Sequence, residues 1–315
     1  MPAAETPLLY WGVFILAVLV FLALDLGIFH RQARQVRFRE ALGWTAIWVA
    51  LALVFGLVLA PALVPSWTRQ HAYEFITGYV IEFALSMDNV FVIALILAFF
   101  HLPQQFQHRV LFWGILGALV MRGLMIWLGI GLIHRFNWMF YLLGAFLIFT
   151  GVKMIFFGKE RVHPEKNVLI RLARKFFHVS ANFDGERFLT RLNGHRALTP
   201  MALVLLTVET SDLIFAVDSI PAIFAVTQDA FVVFTSNVFA ILGLRSLYFV
   251  LAGAMRYFRY LKIGLSIVLV FIGVKMLLNH TAYQISIGLS LGVVAGIILL
   301  SMLLSLLAAR REQSD

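Results

Sequence analysis

Ile81-Glu82-Phe83-Ala84-Leu85-Ser86-Met87-Asp88-Asn89-Val90-Phe91 sits inside an apolar run from Phe75 to Phe100 and puts two carboxylates there. At 1.5 Å per residue a helix of that length spans about 39 Å, more than the roughly 30 Å hydrocarbon core of a bilayer. An acid at such depth costs about 2.5–3.5 kcal/mol on insertion scales, and is a candidate for function by default. A second stretch, Glu209-Thr210-Ser211-Asp212-Leu213-Ile214-Phe215-Ala216-Val217-Asp218-Ser219-Ile220-Pro221, repeats the pattern. The first copy reads Glu82-x5-Asp88-Asn89 and the second Asp212-x5-Asp218-Ser219.

The rest of the chain agrees with a bilayer as solvent. It has 62% hydrophobic and only 13% charged residues, with a mean hydropathy of +0.92, which excludes an ordinary soluble domain. Nine apolar runs can be drawn: Leu8–Phe29, Ala41–Val64, Phe75–Phe100, Arg109–Ile133, Trp138–Phe157, Pro200–Val226, Phe231–Met255, Ile263–Leu278 and Ile285–Ala308. They are hydrophobic all round, as membrane helices are, and too long and unalternating for barrel strands. The first is too long for a signal peptide's apolar region and has no basic segment before it. The expected fold is an all-α polytopic membrane protein of about nine transmembrane helices.

Nine spans place the termini on opposite sides. The loops on one side hold 19 Lys and Arg, against Arg69 and Arg135 on the other. The positive-inside rule therefore puts the N-terminus outside and the C-terminus in the cytoplasm. The net charge of +9 reads as topology, so no nucleic-acid partner is expected. The one sizeable soluble piece, residues 158–199, carries Asp184-Gly185 and Asn193-Gly194. These dipeptides are hairpin signals, so this loop is either a small β-hairpin or a plain linker. His163, His178 and His195 show no metal-ligand spacing.

Further echoes join the two acidic stretches. Ile115-Leu116-Gly117 with Arg122 and then Gly151-Val152-Lys153-Met154 follow the first; Ile241-Leu242-Gly243 with Arg245 and then Gly273-Val274-Lys275-Met276 follow the second. Spans three to five therefore repeat as spans six to eight, and an odd number of helices per repeat inverts the second copy. The chain divides into two N-terminal spans (1–72), repeat one (73–157), the cytoplasmic loop (158–199), repeat two (200–280), and a ninth span with its tail (281–315).

In a straight helix Glu82, Ser86 and Asn89 share a face, while Asp88 lies about 240° round from Glu82, as Asp218 does from Asp212. Unwinding near Asp88 and Asp218 is expected to let the acids converge, with Pro221 marking the break in the second copy. Arg122 and Arg245 need carboxylates, Lys153 and Lys275 are expected to snorkel from span ends, and Thr210, Ser211, Ser236 and Asn237 to bond between helices. Six acids at membrane depth (Asp25, Glu82, Asp88, Glu209, Asp212 and Asp218) outnumber the two arginines, leaving about four negative charges for protons or a bound cation to balance. Carboxylate, amide and hydroxyl ligands favour hard cations such as Mn²⁺, Ca²⁺ or Mg²⁺ over Zn²⁺ or Cu⁺. With no cysteine, disulfides, thiolate sites and thiol catalysis are excluded. No Ser/His constellation or nucleotide loop points to an enzyme or a primary pump.

At these residues the chain resembles the TerC family of integral membrane proteins, in particular its Alx-type bacterial members. The motifs that carry the resemblance are Glu82 to Phe91, Glu209 to Thr227, and Thr235-Ser236-Asn237-Val238-Phe239-Ala240-Ile241-Leu242-Gly243-Leu244-Arg245. It covers nearly the whole chain and implies a bacterial inner-membrane protein. The family is associated by name with tellurium resistance and, in Alx-type members, with Mn²⁺ export. Its acidic motif residues correspond to Glu82, Asp88, Asn89, Glu209, Asp212 and Asp218. The implied function is a secondary exporter of divalent cations, Mn²⁺ first, with no tightly bound cofactor and with proton antiport as one coupling. Asp88 and Asp218 are then central ligands; Asn89, Glu209 and Asp212 complete or gate the site, with Glu82 as ligand or proton carrier. Arg122 and Arg245 hold the acids when the cation is absent, with Asp25, Ser86 and Ser219 in support. The alternative is a membrane scaffold or biogenesis factor in which the acids are ion-pair glue.

Overall fold

The structure is a computed structural model and describes residues 6–24, 38–136, 138–156, 171, 175–180, 182–192, 194–254, 260–278 and 284–311. Asp25 and most of the Arg31–Arg39 loop lie outside these residues. The helices are α1 (Leu8–Leu24), α2 (Phe38–Val54, continued by a π turn at Phe55–Leu59 and by Ala60–Leu63), α3 (Arg69–Phe99), α4 (Gln104–Arg135), α5 (Met139–Phe156), α6 (Pro200–Phe224), α7 (Ala230–Leu242), α8 (Leu244–Ala254), α9 (Leu261–Leu278) and α10 (Ile287–Arg311). Seven are long and apolar enough to cross a membrane, and Leu8–Ala23 and Ala230–Leu242 are shorter apolar helices. The chain is an all-α polytopic membrane protein.

α3 and α6 form the centre. α3 packs on α6 and α7, α4 packs on α6 and α7, and α5 lies along α9. α10 covers α3 and α9, and α2 lies against α8. α1 is held by its aromatic face, with Trp11 edge-on to Phe231 at 5.2 Å. Caps lock the ends of the central helices. The Thr68 hydroxyl accepts the His71 amide at the start of α3, and His71 Nδ1 accepts the Thr68 amide at 3.0 Å, a reciprocal capping box. Asp229 caps α7 by accepting the Val232 amide at 2.9 Å, and Thr199 caps α6 ahead of Pro200.

The α5–α9 seam explains two of its glycines. A Cβ on Gly144 would stand 3.2 Å from the Gly273 carbonyl oxygen, and one on Gly151 would stand 2.8 Å from that of Ser266. These small residues let two antiparallel backbones approach closely.

Three expectations are corrected. α3 and α6 run unbroken through Asp88 and Asp218; each unsatisfied backbone group in hydrocarbon would cost several kcal/mol, and a continuous helix leaves far fewer of them than an unwound one. Pro221 lies inside α6 near its C-terminal end without breaking it, although it removes the bond to the Val217 carbonyl. The irregular turns come elsewhere, as the π turn in α2 and at Gly243 between α7 and α8. Among the described residues, Thr210, Ser211 and Ser236 make no bond between helices: their hydroxyls donate to the Leu206, Thr207 and Val233 carbonyls of their own helices. Lys275 does not snorkel but is 4% exposed, whereas Lys153 is exposed.

Before α6 stands a three-stranded sheet of β1 (His178–Val179), β2 (Leu189–Leu192) and β3 (His195–Leu198), in the order β1-β3-β2. Leu192 pairs with His195, which closes a tight hairpin with Gly194 at φ 82°, where a side chain would be strained; Asn193 lies outside the described residues. Asp184-Gly185 makes no hairpin; Asp184 accepts the Thr190 hydroxyl at 2.7 Å. The sheet seats on the first turns of α4. Arg109 pairs with Glu186 at 2.8 Å and lies over the Phe188 ring, which also meets Trp113.

Candidate functional site

Helical periodicity puts Glu82 and Ser86 on one stripe of α3, and Asp212 and Ser219 on one stripe of α6. Both stripes face Arg122 of α4, which is 1% exposed. Arg122 Nη1 donates to Glu82 Oε1, to Asn237 Oδ1 of α7 at 2.9 Å and to Ser219 Oγ at 3.2 Å. Nη2 donates to Asp212 Oδ1 at 3.4 Å, and Ser86 Oγ donates to Glu82 Oε1 at 3.2 Å. One guanidinium thus ties four helices, and its planar array of donors suits carboxylates in a way a lysine's point charge does not.

This centre is under-compensated. Two carboxylates meet one cation, and Glu82 Oε2, Asp212 Oδ2, Arg122 Nε and Asn89 Nδ2 are buried without a hydrogen-bond partner among the described residues. Native interiors leave few such groups, and leaving one unpaired costs about 1–3 kcal/mol, more when charged. The centre therefore keeps one spare oxygen on each of two carboxylates beside a single buried guanidinium.

The other acids stand round this centre. Glu209, one turn before Asp212, lies against α4 where Gly117 leaves room, and a Cβ on Gly117 would overlap its carboxylate. Asp88 and Asp218 turn away from Arg122, as the 240° offset requires of straight helices. Asp218 Oδ1 accepts from Thr150 Oγ1 of α5 at 3.4 Å, and Asp88 interacts electrostatically with Lys262 at the start of α9. Each is half-buried. Among the described residues no three His, Asp or Glu side chains are grouped to hold a metal ion; Arg122 takes the middle of the acid set. The Arg245 side chain and Asp25 lie outside the described residues.

Sequence reasoning passed over Glu74, a buried carboxylate of α3 that accepts from Gln70 Nε2 at 2.8 Å. It lies one residue before the apolar run that begins at Phe75, so a hydropathy boundary discarded it. The spacing Glu74, Gly78, Glu82 on one side of α3 was the signal available.

A family profile described as "Integral membrane protein TerC family" matches residues 67–313. The chain belongs to the TerC family. It is 53% identical over 275 residues to membrane protein STKORF319 of Myxococcus xanthus, over 87% of this chain and 85% of that one. It is 46% identical over 296 residues to Alx of Escherichia coli (strain K12), named as a candidate membrane-bound redox modulator, over 92% of each chain. A membrane protein of Rickettsia bellii (strain RML369-C) is 39% identical over 270 residues, 86% of this chain and 88% of that one. No solved structure matches. The match to the TerC profile takes in α3 to α10, so every described acid of the site lies within the family region.

Proposed function

We propose that this TerC-family protein is a secondary exporter of divalent cations, Mn²⁺ first, in a bacterial inner membrane with its N-terminus outside. The observation that carries the proposal is the buried Arg122 shared by Glu82 and Asp212, with one oxygen of each carboxylate unpartnered. Arg122 is the resident counter-ion. A divalent cation arriving at Glu82 and Asp212 displaces the guanidinium, and Asn237 and Ser219 receive it less strongly. Asp88, Asn89, Glu209 and Asp218 line the approaches, and protons take the place of metal on carboxylates vacated during return.

The two acidic helices belong to inverted repeats in this proposal. The reciprocal α5–α9 contacts support it: the offset of 122 between the Gly-Val-Lys-Met tetrads exchanges Gly144 with Ser266 and Gly151 with Gly273, so the contact Gly144–Gly273 turns into Ser266–Gly151. A two-fold axis produces such isologous pairs. Asp218 facing α5 while Asp88 interacts with a residue of α9 follows the same exchange. The redox role in Alx's name cannot run through thiols in this chain, which has no cysteine.

The second reading, ion-pair glue in a membrane scaffold, is favoured by the four-helix span of the Arg122 bonds. Reconstitution with a panel of divalent cations separates the two. Wild-type protein is expected to move Mn²⁺, and Asp88→Asn and Asp212→Asn to move it at least tenfold more slowly at normal membrane levels. Loss of the folded protein with no transport by wild type supports glue.

A further inference from the structure

Glu74 is two turns from Glu82 along α3, about 12 Å on the axis and about 80° round it. It is 5% exposed and has no part in the Arg122 network. Across from it on α9 is Lys275. α9 runs antiparallel to α5, and Gly144 near the start of α5 meets Gly273, so Lys275 lies toward the bundle end where α5 begins, the end at which an up-and-down bundle also places the start of α3. Its charge interacts with that of Glu74. Lys275 is 4% exposed, yet its Nζ has no hydrogen-bond partner among the described residues.

A buried, unbonded ammonium is a costly arrangement that packing alone does not call for. The tetrad does not impose it either, because Lys153 in the equivalent place on α5 is exposed. Between the two glutamates the face of α3 is kept narrow by Gly78, where a Cβ would stand 3.0 Å from Ser236 Oγ. A buried cation therefore stands in reach of a buried carboxylate's charge twice along α3: Arg122 bonded to Glu82 and Asp212, and Lys275, unbonded, under the influence of Glu74.

We propose that Glu74 is a second cation site, the outer release station for a divalent cation leaving the Glu82–Asp212 centre, and that Lys275 is the tethered cation that takes over its carboxylate as the ion departs. This rests on the exporter reading above. The ion moves from two carboxylates to one, so it is held less tightly on its way out. Lys275 then prevents its return, because an ion coming from outside must displace an ammonium already at Glu74.

The test uses the intact chain in proteoliposomes, with Mn²⁺ as the probe. The absence of cysteine makes Lys275→Cys a single-thiol protein whose charge is restored by aminoethylation in detergent before reconstitution. Lys275→Cys is expected to bind Mn²⁺ in detergent within twofold of wild type, Glu74→Gln to lose the weaker of two Mn²⁺ binding events while keeping the tighter one, and both to export it at least tenfold more slowly. Aminoethylation is expected to return at least half of the Lys275→Cys rate. External Mn²⁺ should inhibit Lys275→Cys at a tenfold lower concentration than wild type. Wild-type rates in either variant, or a slow Lys275→Cys that aminoethylation leaves slow, overturn the release station while leaving the exporter reading intact. A wild-type protein that moves no divalent cation overturns both.

Discussion

Arg122 Nη1 and Asn237 Oδ1 lie 2.9 Å apart across the interface of α4 and α7, and both side chains are buried. The amide is thereby turned so that its own Nδ2 donates to the Val233 carbonyl at 2.9 Å. Asn237 can keep Arg122 hydrogen-bonded even when one of the carboxylates is engaged by another cation. This is the property the exporter reading needs of the centre.

Replacing Arg122 by Met leaves Glu82 and Asp212 as uncompensated buried charges, which costs about 3–5 kcal/mol when one partner of a buried pair is removed. The variant's unfolding temperature in detergent should fall accordingly. Added Mn²⁺ should raise it by more than it raises that of wild type, because the ion and the guanidinium compete for the same oxygens. Equal shifts in both proteins would count against that competition.

Gly117→Ala places a methyl on the Glu209 carboxylate and should destabilise by about 1–3 kcal/mol, the usual range for overpacking. Gly131→Ala, in the same helix with open space at its Cβ, should instead be neutral or stabilising by about 0.5–1 kcal/mol. Thermal unfolding of the two purified variants side by side checks the contrast.

On the α5–α9 seam, Gly273→Leu drives a side chain into the Gly144 carbonyl and Ile148, and folded protein should drop severalfold in the membrane fraction. Gly296→Leu, on α10 with nothing near its Cβ, should leave it unchanged. Fluorescence-detected size exclusion of tagged protein reads both.

The Arg109–Glu186 pair is exposed on both sides, and such pairs contribute about 0–1 kcal/mol. Glu186→Gln should therefore leave hydrogen exchange in β2 and β3 within twofold of wild type. Phe188→Ala, which removes a ring packed on Trp113 and under the Arg109 guanidinium, should speed exchange there at least fivefold.

Orientation is checked in the same cysteine-free background. Glu186→Cys should be labelled by an impermeant thiol reagent only when it is given access to the cytoplasmic face. Exposed Gln228, placed after α6, should be labelled as Gln228→Cys from outside. The reverse pattern would invert the proposed direction of transport.

Particular residues show what could be read ahead of the structure. The i, i+4, i+7 relation of Glu82, Ser86 and Asn89 already implied one buried face of α3, and all three are buried. The 240° offsets of Asp88 and Asp218 already implied that a straight helix would turn them aside. The expected unwinding failed because it treated convergence of all the acids as necessary, whereas Arg122 needs only one from each helix. Lys275 was misread because snorkelling was judged from its distance to a span end, and burial there depends on α3 and α10 packed over α9.

The sequence by itself determined that this is a polytopic helical membrane protein with two related acidic helices. Hydropathy summed over some 20 residues and the 3.6-residue period are local properties, and the bilayer enforces them on each segment separately. Only the tertiary structure decided which acids meet Arg122, that Glu209 rests on Gly117, and that Lys275 is buried. Arg122's partners stand 40, 90, 97 and 115 residues away along the chain. Which of several chemically equivalent carboxylates a buried cation finds is settled by how helices pack face to face, and no local pattern carries that information.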